Sequence, residues 1–208
     1  MNEEKFLKLR IQLSTRIGSR RFSHTLGVEE EIVCLGEKYL PDDIQRLRIA
    51  ALFHDLTKEW TPAEQIAYCR RNGLPLSEEE LASPRVLHAR TGAAVAAREF
   101  PSFVDDTILR AITLHTTGGI GMTVFDELLY LADYIEPTRV YPECVALRHY
   151  FWNGYDSAAD KLLHLHRTIC RALTDTVEEL RRKNIVIFPA TLEALSYFNK
   201  ITAEPEKK

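Results

Sequence analysis

Apolar side chains recur at intervals of three and four residues along almost the whole chain, and this spacing restricts the fold more than any other property of the sequence. Leu165, Ile169 and Leu173 are typical, because side chains at this spacing share one face of an α-helix. Proline or glycine separates successive stripes, as expected at helix ends. The segment 185–188 (IVIF) has strand character but is too short to seed a sheet. The pattern therefore predicts an all-α protein.

Ten helices are predicted from these stripes and their boundaries. Their approximate bounds are 6–13, 22–40, 42–54, 61–73, 83–100, 104–115, 125–132, 142–153, 156–183 and a last helix after Pro189. A chain of 208 residues is long enough to bury a core without disulfides or structural metals. No repeat or linker-like composition precedes the charged residues 203–208, so we predict one helical domain.

The bulk composition excludes several classes of protein. The 27 Lys and Arg residues against 30 Asp and Glu residues leave a formal charge of −3, which is not typical of a nucleic-acid binder. No apolar stretch approaches the roughly 18 residues of a membrane helix. The four cysteines are scattered, as expected of reduced thiols, and charges interrupt the apolar residues of the N-terminus. We expect a cytoplasmic protein without nucleic-acid or membrane partners, and the sequence leaves a homodimer open.

Several histidines and aspartates lie on or directly after apolar helix stripes. A single buried histidine is ordinary, but a buried carboxylate needs a cation or several hydrogen-bond donors. The set comprises His24, His54, Asp55, His88, His115 and Asp133. Four imidazoles and two carboxylates without sulfur suit Fe, Mn, Co or Zn. Six ligands exceed what one catalytic ion can use, so we predict two ions, with Asp55 as the bridging carboxylate.

The segments around these residues carry a family resemblance. They read RFSHTLGV, ALFHDLTK, LHARTGA, LHTTGGIGMT and YLADYIEPTR. With this ordered H…HD…H…H…D set, the chain resembles the HD-domain metal-dependent phosphohydrolases. It most closely resembles the YqeK-type bacterial group of symmetrical bis(5'-nucleosyl)-tetraphosphatases.

The resemblance implies a single HD-type domain over 1–208, with a catalytic core over about 20–140 and C-terminal helices over about 142–200. It implies that the six residues ligate a di-iron centre, with Mn, Co or Zn as alternative metals. It also implies the reaction, which is cleavage of diadenosine tetraphosphate and related dinucleoside polyphosphates into two nucleoside diphosphates.

Other residues close to the ligands in sequence carry groups that suit phosphate. Lys58 lies four residues after His54 and would face the ligands if the helix continued. The guanidinium fork of arginine matches phosphate oxygens, and a threonine hydroxyl or a glycine backbone can approach an anion closely. We therefore predict catalytic roles for Asp55 and Lys58, and substrate binding by Arg21, Lys58, Thr116, Gly118 and Arg139.

Three other functions remain open at this stage. The same scaffold supports a nucleotidase or nucleoside triphosphate hydrolase, and some di-iron centres of this type activate O₂. A nucleotide-sensing module without turnover is the third, although a mere binder does not need all six ligands. Away from the ligands, we expect the runs Glu29–Glu31 and Glu78–Glu80 to be solvated helix faces. We expect Trp60 and Trp152 to lie in the core or in an interface.

Overall fold

The computed structural model describes residues 3–203, which form eleven α-helices and no strand. The helices are α1 (Glu3–Ser14), α2 (Ser19–Tyr39), α3 (Ile44–Phe53), α4 (Pro62–Arg71), α5 (Glu78–Ala82), α6 (Leu87–Glu99), α7 (Asp106–Leu114), α8 (Val124–Ile135), α9 (Pro142–Tyr155), α10 (Lys161–Arg182) and α11 (Pro189–Thr202). Single 3₁₀ turns at Pro41–Asp43 and Pro84–Val86 precede α3 and α6. The predicted all-α class is confirmed.

Several helices begin at residues whose side chains cap them. Thr61 accepts a hydrogen bond from the Glu64 backbone while Pro62 occupies the first turn of α4. Asp105 caps α7 through the Ile108 amide, and Thr123 forms a capping box at α8. These caps satisfy amides that have no partner within the helix. They fix the starting points of α7 and α8, which carry ligand candidates near their other ends.

The core is formed where the apolar faces of these helices meet. Helix α2 packs against α3 and α8, while α7 packs against α3, α6 and α8. Helices α9 and α11 both pack against α10, which in turn contacts α8. Fully buried side chains such as Ile32, Leu52, Leu128 and Leu173 fill the space between the layers. Five helices, α2, α3, α6, α7 and α8, therefore surround one central region of the bundle.

The helix predictions need one correction. Helix α3 ends at Phe53, within one residue of the predicted end at His54, and hydrogen-bonded turns over 54–59 follow it. The short helix α5 is not anticipated by an apolar stripe, because a capping box between Ser77 and Glu80 defines its start. Apolar periodicity cannot detect an element this short.

The expectation that the glutamate runs are solvated holds for Glu30, Glu78 and Glu79 but is wrong for Glu29, Glu31 and Glu80, which are buried. Glu29 is 3% exposed and accepts hydrogen bonds from Arg10 and Arg48. Glu31 is 5% exposed and accepts one from the indole N–H of Trp152. Each buried carboxylate has partners from other helices that charge patterning along one helix does not reveal.

Two findings bear on the expected compartment. Within residues 3–203, no helix combines the length and the apolar character that a membrane span requires. The four cysteines are free thiols, and Cys34 is exposed. The cytoplasmic location and the division into a catalytic core and C-terminal helices stay predictions.

Candidate metal centre

The six predicted ligands converge on the central region from five different helices. His24 lies in α2, His88 in the first turn of α6, and Asp133 near the end of α8. The other three follow helix ends: His54 and Asp55 come directly after α3, and His115 comes directly after α7. All but Asp133 are almost completely buried. The apolar stripes that bury these helices therefore carry the polar side chains to one point.

Asp55 lies between two pairs of imidazoles. Its Oδ2 atom is 3.3 Å from Nε2 of His54 and 3.7 Å from Nε2 of His24. Its Oδ1 atom is 3.4 Å from Nε2 of His88 and 3.6 Å from Nε2 of His115. The two oxygens of one carboxylate thus face different ligand pairs, as the adjacent His54–Asp55 pair led us to expect.

The imidazole nitrogens within each pair are unusually close. The Nε2 atoms of His24 and His54 are 3.3 Å apart, and those of His88 and His115 are 3.2 Å apart. Asp133 joins the first pair, with Oδ1 at 3.1 Å from Nε2 of His24. Donor atoms of His24, His54 and Asp133 lie within 4.8 Å of one another, as do those of His54, Asp55 and His115.

The outer ring nitrogens explain why Nε2 faces inward in every case. Each Nδ1 atom donates to an oxygen outside the cluster, so in the neutral ring Nε2 presents a lone pair to the centre. The acceptors are Oε1 of Glu136 for His24 (3.0 Å) and the backbone carbonyls of Ala51 for His54 (2.6 Å), Arg85 for His88 (2.7 Å) and Ile112 for His115 (2.6 Å).

This donor set fits divalent metal ions. Lone pairs of adjacent imidazoles repel one another at these separations unless a cation or a proton lies between them. Oδ1 of Asp55 is buried and has no hydrogen-bond partner among residues 3–203, which is costly for a charged oxygen. Nitrogen and oxygen donors without thiolate suit Fe, Mn, Co or Zn. Coordination of a cation would satisfy both the lone pairs and the orphaned oxygen.

The pKa values of most ligands favour the forms that bind metal. Burial lowers the pKa of His54, and burial together with Lys58 and His115 lowers that of His88 to about 3. Burial alone would raise the pKa of Asp55, but the neighbouring His54 and His115 outweigh it and hold the pKa well below its usual range. A neutral imidazole and an ionised carboxylate are the ligating states.

His24 differs from the other three histidines. Burial lowers its pKa, but hydrogen bonds to Asp133 and Glu136 outweigh that effect and raise the pKa to about 9. Without a metal ion, two carboxylates therefore favour a protonated ring. A metal ion at Nε2 would replace that proton.

Lys58 and Thr116 lie at the His88 end of the centre. Nζ of Lys58 is 3.0 Å from Nε2 of His88. Oγ1 of Thr116 is 2.9 Å from the same nitrogen and 3.1 Å from Nε2 of His115. Although α3 does not continue, the turns after it still bring Lys58 to the ligands. Both side chains thus border the metal centre, and their roles toward substrate stay predictions.

Arg21 and Arg139 contact ligand carboxylates directly. Arg21 donates to Oδ2 of Asp55 at 2.6 Å, and Arg139 donates to both the side chain and the backbone carbonyl of Asp133. Each of the two arginine side chains remains partly exposed. They neutralise and orient the carboxylates in this structure, and their predicted contact with substrate stays a prediction.

Gly118 is placed differently from the other predicted substrate-binding residues. Its φ of +65° is a left-handed conformation that suits glycine, and its amide closes the end of α7 by bonding to the Leu114 carbonyl. A Cβ atom built here would lie 3.2 Å from Cβ of Ala194 and 3.4 Å from Leu173. These contacts explain the glycine by packing, so its predicted role in binding substrate gains no support from them.

Glu136 is a residue of the site that the sequence analysis missed. Its carboxylate is buried and accepts hydrogen bonds from Nδ1 of His24 and from the amide and hydroxyl of Thr138 at 2.6 and 2.7 Å. Four oxygens accept hydrogen bonds from the Nδ1 atoms of the ligand histidines, and only that of Glu136 belongs to a charged side chain. Its place three residues after Asp133, ahead of Pro137, is the signal that could have indicated it.

Among residues 3–203, two clefts each have one ligand candidate in their wall. One, of about 460 Å³, includes His24 in its wall together with Arg20 and Tyr141, and we call it the His24 cleft. The other, of about 390 Å³, includes His88 together with Trp60 and Arg85, and we call it the His88 cleft. Both volumes are typical of small-molecule sites.

The chain is similar to proteins of one family over most of its length. The HD domain family model matches residues 21–138, a range that contains all six ligand candidates. The symmetrical bis(5'-nucleosyl)-tetraphosphatase of Halalkalibacterium halodurans is 32% identical over 194 residues, covering 92% of this chain and 94% of the relative. The protein of the same name from Bacillus subtilis is 32% identical over 193 residues, with the same coverage.

A solved structure is also similar. It is described as a predicted HD superfamily hydrolase involved in NAD metabolism, from Clostridium acetobutylicum. It has a TM-score of 0.83 and 28% sequence identity, and the similarity covers 94% of this chain and 97% of that one. The likeness in both sequence and structure thus extends well beyond the matched residues 21–138.

Proposed function

This chain belongs to the HD domain family and, within it, to the symmetrical bis(5'-nucleosyl)-tetraphosphatases, and we propose that it hydrolyses diadenosine tetraphosphate in the middle to two molecules of ADP. The observation that carries this proposal is the convergence of six ligand residues in a chain similar to these enzymes over 92% of its length. Related dinucleoside tetraphosphates would be cut in the same way to two nucleoside diphosphates.

The six converging residues are His24, His54, Asp55, His88, His115 and Asp133, and in this proposal they hold two divalent metal ions. Asp55 is the shared ligand, because its two carboxylate oxygens face different imidazole pairs. Iron is the proposed metal, with Mn, Co or Zn able to use the same nitrogen and oxygen donors. When bound, divalent ions act as Lewis acids toward phosphoryl oxygens and make water a stronger nucleophile at neutral pH.

The surrounding side chains would bind and orient the phosphate chain. Lys58 and Thr116 both lie beside His88, so an ammonium group and a hydroxyl can donate to phosphate oxygens at that end of the centre. A fixed cation there stabilises the negative charge that develops as ADP departs. Arg21 and Arg139 hold the carboxylates of Asp55 and Asp133 in position while their exposed edges face the His24 cleft.

Product analysis tests this function. Purified protein supplied with Fe²⁺ or Mn²⁺ under reducing conditions is incubated with diadenosine tetraphosphate, and the nucleotides are separated by chromatography. ADP as the sole product is expected. AMP and ATP in equal amounts would exclude symmetrical cleavage. Phosphate released rapidly from mononucleotides, with no reaction of the dinucleotide, would instead indicate a nucleotidase.

We infer a cytoplasmic location from the free thiols, since these persist in a reducing compartment. The homodimer left open by the sequence stays untested.

A further inference from the structure

The two clefts contain the same three kinds of group. Each has a metal-ligand candidate, an exposed arginine and one large aromatic side chain in its wall; the His24 cleft also contains Arg21 and Arg139, and the His88 cleft also contains Lys58. The His24 cleft has His24, Arg20 and Tyr141, and the His88 cleft has His88, Arg85 and Trp60. The residues come from unrelated segments of the chain, so the match is one of chemistry and not of sequence.

The arginines of the two clefts differ from the others near the metal centre. Arg21 and Arg139 are engaged with ligand carboxylates. Arg20 and Arg85 are exposed, and neither guanidinium group has a hydrogen bond or an ion pair within residues 3–203. An unpaired guanidinium group at the wall of a cleft is available for a phosphate.

The aromatic side chains are similarly available. Tyr141 is 52% exposed, and no other ring or cation is paired with its ring among the residues that the structure describes. Trp60 is half-buried and packs on Tyr68, with ring centroids 5.3 Å apart, while also lining the His88 cleft. Aromatic rings in such positions are suitable surfaces for nucleobases. Trp60 also packs against the hydrophobic core, as the sequence led us to expect, so stacking on a nucleobase would be an additional use of its ring.

The ligand candidates of the two clefts face different oxygens of Asp55. Oδ2 of Asp55 is 3.7 Å from Nε2 of His24, and Oδ1 is 3.4 Å from Nε2 of His88. A dinucleoside tetraphosphate has two identical halves, each with one base, one ribose and two phosphates. If its central bond lies at the metal centre, the halves must leave the centre in two directions.

From this arrangement we propose that each cleft binds one nucleoside diphosphate half of the substrate. Arg20 contacts the phosphates and Tyr141 stacks on the base in the His24 cleft. Arg85 and Trp60 do the same in the His88 cleft. This inference rests on the proposed function for the identity of the substrate, but the number and location of nucleotide sites can be measured without turnover.

The first experiment counts the sites. ADP is titrated calorimetrically into the full chain loaded with Mn²⁺, and two molecules of ADP per chain are expected. Trp60→Leu should weaken one site and Tyr141→Ala the other, each by about 10- to 100-fold, the effect of losing one stacking contact. Arg20→Gln and Arg85→Gln provide a second pair of variants. Both side chains are exposed and unpaired, so these substitutions should leave the fold intact.

Matched controls come from aromatic residues outside the clefts. Trp152→Phe changes the other tryptophan, which binds Glu31, and Tyr150→Ala changes a tyrosine that packs on His164. Neither control should alter the number or affinity of ADP sites. One ADP per chain, or two sites that neither cleft variant weakens, would refute the inference.

The second experiment uses hydrolysis of diadenosine tetraphosphate. Because one substrate molecule occupies both clefts, Trp60→Leu and Tyr141→Ala should each lower kcat/KM. The double variant should show the product of the two effects, since the two platforms act independently. A double variant whose kcat/KM is no lower than that of the less active single variant would contradict two separate subsites. If the wild type binds two ADP but does not cut the dinucleotide, the proposed function fails while the two sites stand.

Discussion

Replacing Gly27 by alanine should disable the metal centre without touching any ligand. Gly27 lies in α2, three residues after His24, and its missing side chain leaves room for the carboxylate of Glu136. An added Cβ atom would overlap Oε2 of Glu136 and lie 3.2 Å from its Cδ atom. The carboxylate must therefore move, although it is held by hydrogen bonds from His24 and Thr138.

The magnitude follows from these contacts. Alanine gains about 1 kcal/mol of helix propensity over glycine. Each hydrogen bond to a charged group is worth about 1.5–3 kcal/mol, and crowding a packed site costs about 1–3 kcal/mol. With one of these hydrogen bonds lost, the net loss in the free energy of unfolding is about 1.5–5 kcal/mol. Displacing the acceptor that orients His24 should lower metal affinity and kcat/KM by about 10- to 100-fold.

Gly36→Ala in the same helix is the matched control. A Cβ atom there would lie 2.9 Å from Cδ1 of Leu47, the end of an apolar side chain away from the ligands. It should alter stability but leave metal affinity and kcat/KM close to those of the wild type. Urea unfolding, metal titration and kinetics with diadenosine tetraphosphate measure the three quantities. Gly27→Ala protein that retains wild-type metal affinity and activity would refute the positioning role of Glu136.

Four further predictions concern the ligands, the nearby cation, a buried carboxyl group and the metal itself. Asp55→Ala should remove metal and abolish hydrolysis while far-ultraviolet circular dichroism stays helical, and a fully active metal-free variant would contradict a metal centre at this residue. Lys58→Ala should lower kcat by about 10²- to 10³-fold with metal content unchanged, whereas a parallel loss of metal would make the lysine structural. Burial raises the pKa of Glu31 against the opposing hydrogen bond from Trp152, so wild-type stability should fall as pH rises from the ordinary carboxyl range through that raised pKa. Glu31→Gln should therefore be more stable than the wild type in urea at about pH 8 but not at about pH 4. The opposite order of stabilities would show that the pKa of Glu31 is not raised. Chelation should lower the melting temperature and Mn²⁺ should restore it. A metal ion at about 100-fold its Kd adds about 3 kcal/mol to the free energy of unfolding. An unchanged melting temperature would show that the ligand residues do not bind the metal.

The helical class and the ligand candidates could be predicted from the sequence. Apolar spacing is a local property of the chain, and α10 and α2 show it over their whole lengths. The ligands stood out because carboxylates and imidazoles on apolar stripes need a cation or donors to be buried. His54 and Asp55 are adjacent, so even the shared position of Asp55 could be anticipated from the sequence.

Other features depend on which helices pack together, and only the tertiary structure decided them. Glu136 contacts His24 across 112 residues of sequence, and Glu31 contacts Trp152 across 121. Arg21 lies against Asp55 because α2 packs on α3, which no pattern within either helix encodes. The two clefts likewise arise between segments far apart in the chain. Helix formation follows from local spacing, whereas the partners of a buried charge follow from the packing of helices, and that packing is a property of the folded chain as a whole.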